Sequence, residues 1–188
     1  MAVLPIRLFG DPVLRTRAAE VTDFGPELHR LVEDMTDTMR EFHGAGLAAP
    51  QVGVDARVFV YECGGMTGHI VNPVWEVVDD DTQTDDEGCL SIPGVRAPCT
   101  RAERVLAHGL DADGAPVALE VEGIMARCVQ HETDHLDGVL YLQRLDPDVR
   151  REAMRVIRGS DWFAAGERVT VDPERHPTVR VGRPVSAE

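Results

Sequence analysis

The sequence predicts an α+β fold: antiparallel or mixed β-sheets packed around a central HExxH-bearing helix, with one helix towards the N-terminus and one towards the C-terminus. Three observations predict it. Short Val-rich runs broken by Gly, Pro and Asp read as strands. Three stretches with apolar residues at helical spacing read as helices. The two kinds of element do not alternate regularly, which argues against a parallel α/β arrangement. With 188 residues, 43% of them hydrophobic, and no internal repeat or low-complexity linker, the chain suits one core.

The first helix is predicted within residues 22–44. Leu28, Leu31, Val32, Met35, Met39 and Phe42 share a face, Thr22 or Asp23 can cap it, and Gly44 can end it. Strand-like runs follow at 57–62, 69–78, 103–111 and 116–122, the last two forming a hairpin around residues 112–115. A second helix is predicted at about 124–136. A third starts at Pro147 and stops at Gly159. The acidic run VVDDDTQTDDE reads as a solvated loop. Beyond Ser160, VTVDPE and TVRVGRPV are short runs suited to edge strands or to a mobile tail, with Trp162-Phe163 pinning its start.

The formal net charge is −14, which disfavours a general nucleic-acid binder, because phosphate contacts need a basic surface. The charge is uneven. Residues 1–146 carry 11 Arg against 26 Asp and Glu, residues 147–188 carry 8 against 7, and there is no lysine. No apolar run approaches the ~20 residues that span a bilayer. The start, MAVLPIRLFGDP, lacks the features of a signal or transit peptide, so a cytoplasmic protein is expected. In that compartment Cys63, Cys89, Cys99 and Cys128 argue against a disulfide framework and leave thiolate ligation open.

The chemistry concentrates in HETDH, residues 131–135, within the second helix. Four residues advance the helix by about 400°, so His131 and His135 lie one turn apart on one face. Both can reach one metal ion, with Glu132 beside it as a proton acceptor. Catalytic metal sites typically take three protein ligands, so one is missing. Cys128, three residues before His131, is short and better suited to filling space under the helix. Glu41 and His43 end the first helix, where polar residues meet solvent. Asp134 turns away around the helix and is better placed to accept hydrogen bonds. Cys89, between Gly88 and Pro93-Gly94, has a modest edge because its backbone can approach another element closely.

HETDH, EGCLS (87–91) and GAGLAAPQ (44–51) occur in the order and at the separations of the three signature motifs of the peptide deformylases, a family this chain resembles from about residue 5 to about 158. The resemblance implies a catalytic domain over residues 1–159 and a C-terminal extension over 160–188. It implies that Cys89, His131 and His135 bind one divalent metal, Fe(II) natively, with Ni, Co or Zn able to substitute. The implied reaction is removal of the formyl group from the N-terminal formylmethionine of new bacterial proteins. Glu132 would act as general base and then acid, while the Gln51 amide and the Leu90 backbone N–H stabilise the developing oxyanion.

Gly46 would let the backbone lie close to the substrate. Ile124, Arg127 and Cys128 would line the methionine pocket, the Arg127 stem walling it while its guanidinium reaches water. Glu87 would hold neighbouring structure by accepting hydrogen bonds. Arg96 would either partner Glu87 or contact substrate. The implied partners are N-formylmethionyl nascent peptides and, transiently, the ribosome, through Arg150, Arg151, Arg155 and Arg158 on the third helix. No membrane and no sequence-specific nucleic acid are expected as partners. Two other readings compete. A general HExxH peptidase leaves GAGLAAPQ and EGCLS unexplained. A non-catalytic or specialised metal-binding homologue predicts loss of Glu132 or Gln51, and both are present.

Overall fold

A computed structural model describes residues 2–170, 172 and 178–182. In chain order its elements are β1 (Ile6–Arg7), α1 (Pro26–Glu41), β2 (Gly46–Ala48), β3 (Val58–Cys63), β4 (Met66–Val77), β5 (Thr82–Cys89), β6 (Ile92–Ala102), β7 (Arg104–Leu110), β8 (Pro116–Glu122), α2 (Gly123–Leu136), α3 (Pro147–Arg158), α4 (Asp161–Ala164), β9 (Val169–Thr170) and β10 (Val179–Arg180). A five-stranded antiparallel sheet has the order β2-β3-β4-β7-β8. A second sheet, β10-β6-β5, is mixed, because β5 pairs antiparallel and β10 parallel to β6. β9 pairs antiparallel with β1. The α+β class holds.

The larger sheet carries helices on both faces, and β3 shows how its sequence arranges this. Successive strand residues point to opposite faces. Val58 and Val60 pack with Leu28, Met35 and Met39 of α1, while Phe59 and Tyr61 pack with Met125, Val129 and Leu136 of α2. A strand covered on both faces has no reason to alternate polar with apolar residues, and this one does not. A third cluster joins Ile92, Val95 and Ala97 of β6 to Ala153 and Ile157 of α3 and to Trp162. Helix α2 is therefore central, and every residue from Met125 to Leu136 is buried.

Two expectations need correction. Neither Thr22 nor Asp23 caps α1: the helix starts at Pro26 behind Gly25, whose N–H is taken by the Asp23 carboxylate at 3.0 Å in the preceding turn. Proline fills the first helical position without cost, since an N–H there would have no helical partner. The acidic run is also not a loop. Only residues 78–81 lie between strands, and Thr82–Cys89 forms β5, paired along its length with β6. Its charges hid a strand because their partners come from β6 and α2, distant in sequence. The expectation of edge strands in the tail is met at β9 and β10, and Trp162 is 1% exposed. The rest of the VTVDPE and TVRVGRPV runs (171, 173–174 and 183–185) lies outside the described residues.

Candidate metal centre

β5 and α2 bring Cys89, His131 and His135 together, with one ligand atom from each lying within 4.8 Å of the others. The β5–β6 ladder jumps between Gly88, opposite Arg96, and Cys89, opposite Ile92, and the cysteine sits at that irregularity. Cys89 Sγ lies 3.2 Å from His135 Nε2, and the two imidazole rings stand 4.9 Å apart. His131 Nδ1 is 2.6 Å from the Glu87 carboxylate, which fixes the ring and leaves Nε2 as the nitrogen that could take a metal. One thiolate and two imidazoles suit a first-row divalent ion, so the residues present fit a metal. Of the other ligand candidates, Glu41 and His43 are exposed, and Asp134 accepts from Arg101 and Arg144.

Glu87 is the hub of a buried ionic network. Its two oxygens accept from Arg101 at 2.6 and 3.1 Å and from Arg127 at 2.9 Å, besides His131. Arg101 also donates to Asp134 at 2.7 Å, and Arg144 donates to the same carboxylate at 2.6 Å, completing the chain. Burial opposes the charge on Glu87, but His131 and Arg101 outweigh it and hold the carboxyl well below the usual carboxylate range. Burial works against a charged His131 too, yet Glu87 pulls its pKa well up. His135, fully buried, is pushed well down by loss of solvation, which leaves it neutral as a metal-binding imidazole must be.

Glu132 lies in different surroundings. Burial raises its pKa to about 7 despite the nearby His131, and Oε2 is buried with no hydrogen-bond partner among the described residues. Gly46 makes this placement fit: a Cβ there would fall 2.6 Å from Glu132 Oε1 and 2.8 Å from Cys128 Sγ. Gly46 is expected from the sequence to lie close to a substrate; what it makes room for within the chain is the Glu132 carboxyl. Gln51 is buried. Its Oε1 accepts the Ala48 N–H at 2.9 Å, which aims Nε2 at Ser91 Oγ (3.2 Å) and Cys89 Sγ (3.5 Å). Leu90 follows Cys89 in the turn between β5 and β6.

These groups open onto a groove of about 480 Å³, whose lining includes Gly46, Gln51, Leu90 and Glu132. Ile124 is on its rim and 57% exposed, whereas Cys128 is buried and donates to the Ala45 carbonyl at 3.6 Å. Arg127 lines the groove, but its guanidinium does not reach water. It turns inward to Glu87 and to the Cys99 carbonyl, both at 2.9 Å, because two buried acceptors outweigh solvation of an 8% exposed side chain. Arg96 lines the groove too and donates to the Asp86 carbonyl, so the partners of Glu87 are Arg101 and Arg127 instead. Sequence reading missed Arg101. Its signal was present: Val95, Ala97, Cys99 and Arg101 alternate inward along β6, which puts an arginine on a buried face. It also missed Thr170, Asp172 and Thr178, which line the groove.

With Cys89 brought across the HETDH helix by the β5–β6 hairpin, the groove holds the residue types that hydrolases of the HExxH kind use. The family model described as "Polypeptide deformylase" matches residues 3–151. "Peptide deformylase 1" of Corynebacterium efficiens is 58% identical over 167 residues, covering 87% of this chain and 99% of that relative. "Peptide deformylase" of Acidothermus cellulolyticus is 56% identical over 178 residues, covering 95% and 97%. The crystal structure of a peptide deformylase from Legionella pneumophila superposes with a TM-score of 0.79 at 39% identity, over 87% of this chain and 98% of that one. The chain belongs to the polypeptide deformylase family and is an enzyme of that kind.

Proposed function

We propose that the protein removes the formyl group from the N-terminal formylmethionine of newly made proteins by metal-dependent hydrolysis, releasing formate. The observation that carries this reading is one arrangement: Glu132, with a pKa near 7, and the Gln51 amide stand beside the Cys89–His131–His135 cluster at the base of a groove. Cys89, His131 and His135 would hold one divalent metal, Fe(II) natively with Ni, Co or Zn able to substitute, which would make water more acidic and polarise the formyl oxygen.

The remaining steps belong to the chain. Glu132 takes a proton from the attacking water and returns it to the departing amine; a carboxyl titrating near neutrality can do both. As the formyl carbon becomes tetrahedral, its oxygen gains negative charge. Gln51 Nε2 and the Leu90 backbone N–H are the donors proposed for it. Gln51 is held in place by its bond to Ala48 and so needs no reorganisation. Glu87 keeps His131 in one tautomer, and Arg101 and Arg127 keep Glu87 charged. Ile124 and the stem of Arg127 wall the methionine pocket, Cys128 backs it, and Arg96 contacts the peptide further out.

The catalytic unit proposed is residues 1–159, with 160–188 an extension, working in the bacterial cytosol with exposed α3 touching the ribosome. The test is formate release from a formyl-Met-Ala-Ser peptide by Ni-loaded protein, with Glu132→Gln alongside. Wild type should turn over, and the variant should keep its metal and lose about 10²- to 10⁴-fold in kcat, the range for removing a general base. A variant as fast as wild type would overturn the role of Glu132, and no release by metal-loaded wild type would overturn the activity.

A further inference from the structure

We propose that the C-terminal extension builds a subsite of the substrate groove, where Thr170 positions Asp172, and Asp172 and Thr178 bind the third and fourth residues of an extended peptide. The inference rests on the deformylase reading above and goes beyond it. The family model ends at residue 151, so these positions lie outside the matched core. All three nevertheless line the same groove as Gly46, Cys89 and Glu132.

The segment is built into the fold. β10 runs parallel to β6, with Val179 opposite Val95 and Arg180 opposite Arg96. The Val181 N–H donates to the Arg96 carbonyl at 2.9 Å, and Val181, 2% exposed, belongs to the same core cluster as Trp162. Gly182 N–H donates to the Glu152 carboxylate of α3 at 3.1 Å, and Arg180 lies 3.5 Å from the Asp86 carboxylate of β5. On the other side, Thr170 is held opposite Ile6, and its hydroxyl both accepts the Asp172 N–H at 3.2 Å and donates to the Asp172 carbonyl at 3.3 Å, which fixes Asp172 in place.

Register gives the distance. Gly88, beside the ligand Cys89, is opposite Arg96, which is opposite Arg180. Two strand spacings put Arg180, two residues after Thr178, about 10 Å from Gly88, and an extended peptide covers about 10 Å in three residues. A peptide with its formyl group at the metal cluster therefore reaches the extension with its third residue. A formyl dipeptide stops short. The chemistry offered there is hydroxyl and carboxylate, suited to backbone N–H groups and polar side chains.

The experiment compares KM for formyl-Met-Ala with KM for formyl-Met-Ala-Ser-Lys-Ala, using Ni-loaded full-length protein. Wild type should bind the longer peptide more tightly. In Thr178→Ala/Asp172→Asn, and separately in a chain ending at residue 177, the preference for the longer peptide should shrink. The shrinkage should be on the order of threefold to tenfold, the worth of one or two hydrogen bonds, and should fall in KM while kcat holds. Thermal melts of each variant report folding. An unchanged preference in the folded double variant, or an equal loss on both peptides, would overturn the subsite. Absence of turnover on either peptide by wild type would overturn the underlying activity instead.

Discussion

Gly46 carries more of the site than its size suggests. Its missing side chain leaves room for the Glu132 carboxyl and the Cys128 thiol, both of which a Cβ would meet at under 3 Å. Gly46→Ala should therefore push Glu132 aside without touching Cys89, His131 or His135. The expected outcome is kcat lowered by about 10²-fold, the cost of an ångström of misplacement, with unchanged metal content by elemental analysis. Full activity in the variant would mean that Glu132 has other room to occupy. At this scale the sequence was legible where chemistry repeats as a motif. Cys89, His131 and His135 were named from EGCLS and HETDH, and the structure gathers them into one cluster. It was not legible where the partner is distant: Glu87 meets Arg101, 14 residues on, and Arg127, 40 residues on. For the same reason Arg127 read as a solvated stem and Arg96 as a partner of Glu87.

Elements followed the same rule. The hairpin β7–β8 and helix α3 were readable because turn residues and helix stops act locally. β5 was not, since its polar residues are satisfied by tertiary partners. One contact between elements makes a pH prediction. The Ala112 N–H, in the β7–β8 turn, donates to His69 Nε2 of β4 at 2.9 Å. Only a neutral imidazole can accept it, and burial lowers the pKa of His69 against the pull of Asp111. The folded state thus holds His69 neutral below its unfolded pKa of about 6.5. Its contribution is full above that value and is lost as pH falls through the lower folded pKa. In metal-loaded protein the melting temperature should drop between pH 7.5 and pH 5 more steeply in wild type than in His69→Gln, whose amide oxygen can still accept. Parallel curves for the two proteins would remove His69 from the account.

Across the whole molecule charge is divided: an acidic body, and a C-terminal region near neutrality. The structure gives that division a surface. Arg150, Arg151, Arg155 and Arg158 are all exposed on α3, whose apolar face, through Ala153 and Ile157, packs on β6. Arg151 pairs with Asp148 and Arg155 with Glu152, while Arg150 and Arg158 are in no ion pair among the described residues. A polyanion such as ribosomal RNA would meet the unpaired arginines first, because the other two must give up a carboxylate. Against a net charge of −14 such a contact has to be local and short-ranged, within a Debye length of about 10 Å at 0.1 M salt. Co-sedimentation with ribosomes should weaken as salt rises. Arg150→Glu/Arg158→Glu should reduce it more than Arg151→Glu/Arg155→Glu, with turnover of a free formyl tripeptide retained in both. Sedimentation indifferent to salt and to all four reversals would take α3 out of ribosome contact and leave it a packed helix with a solvated basic edge.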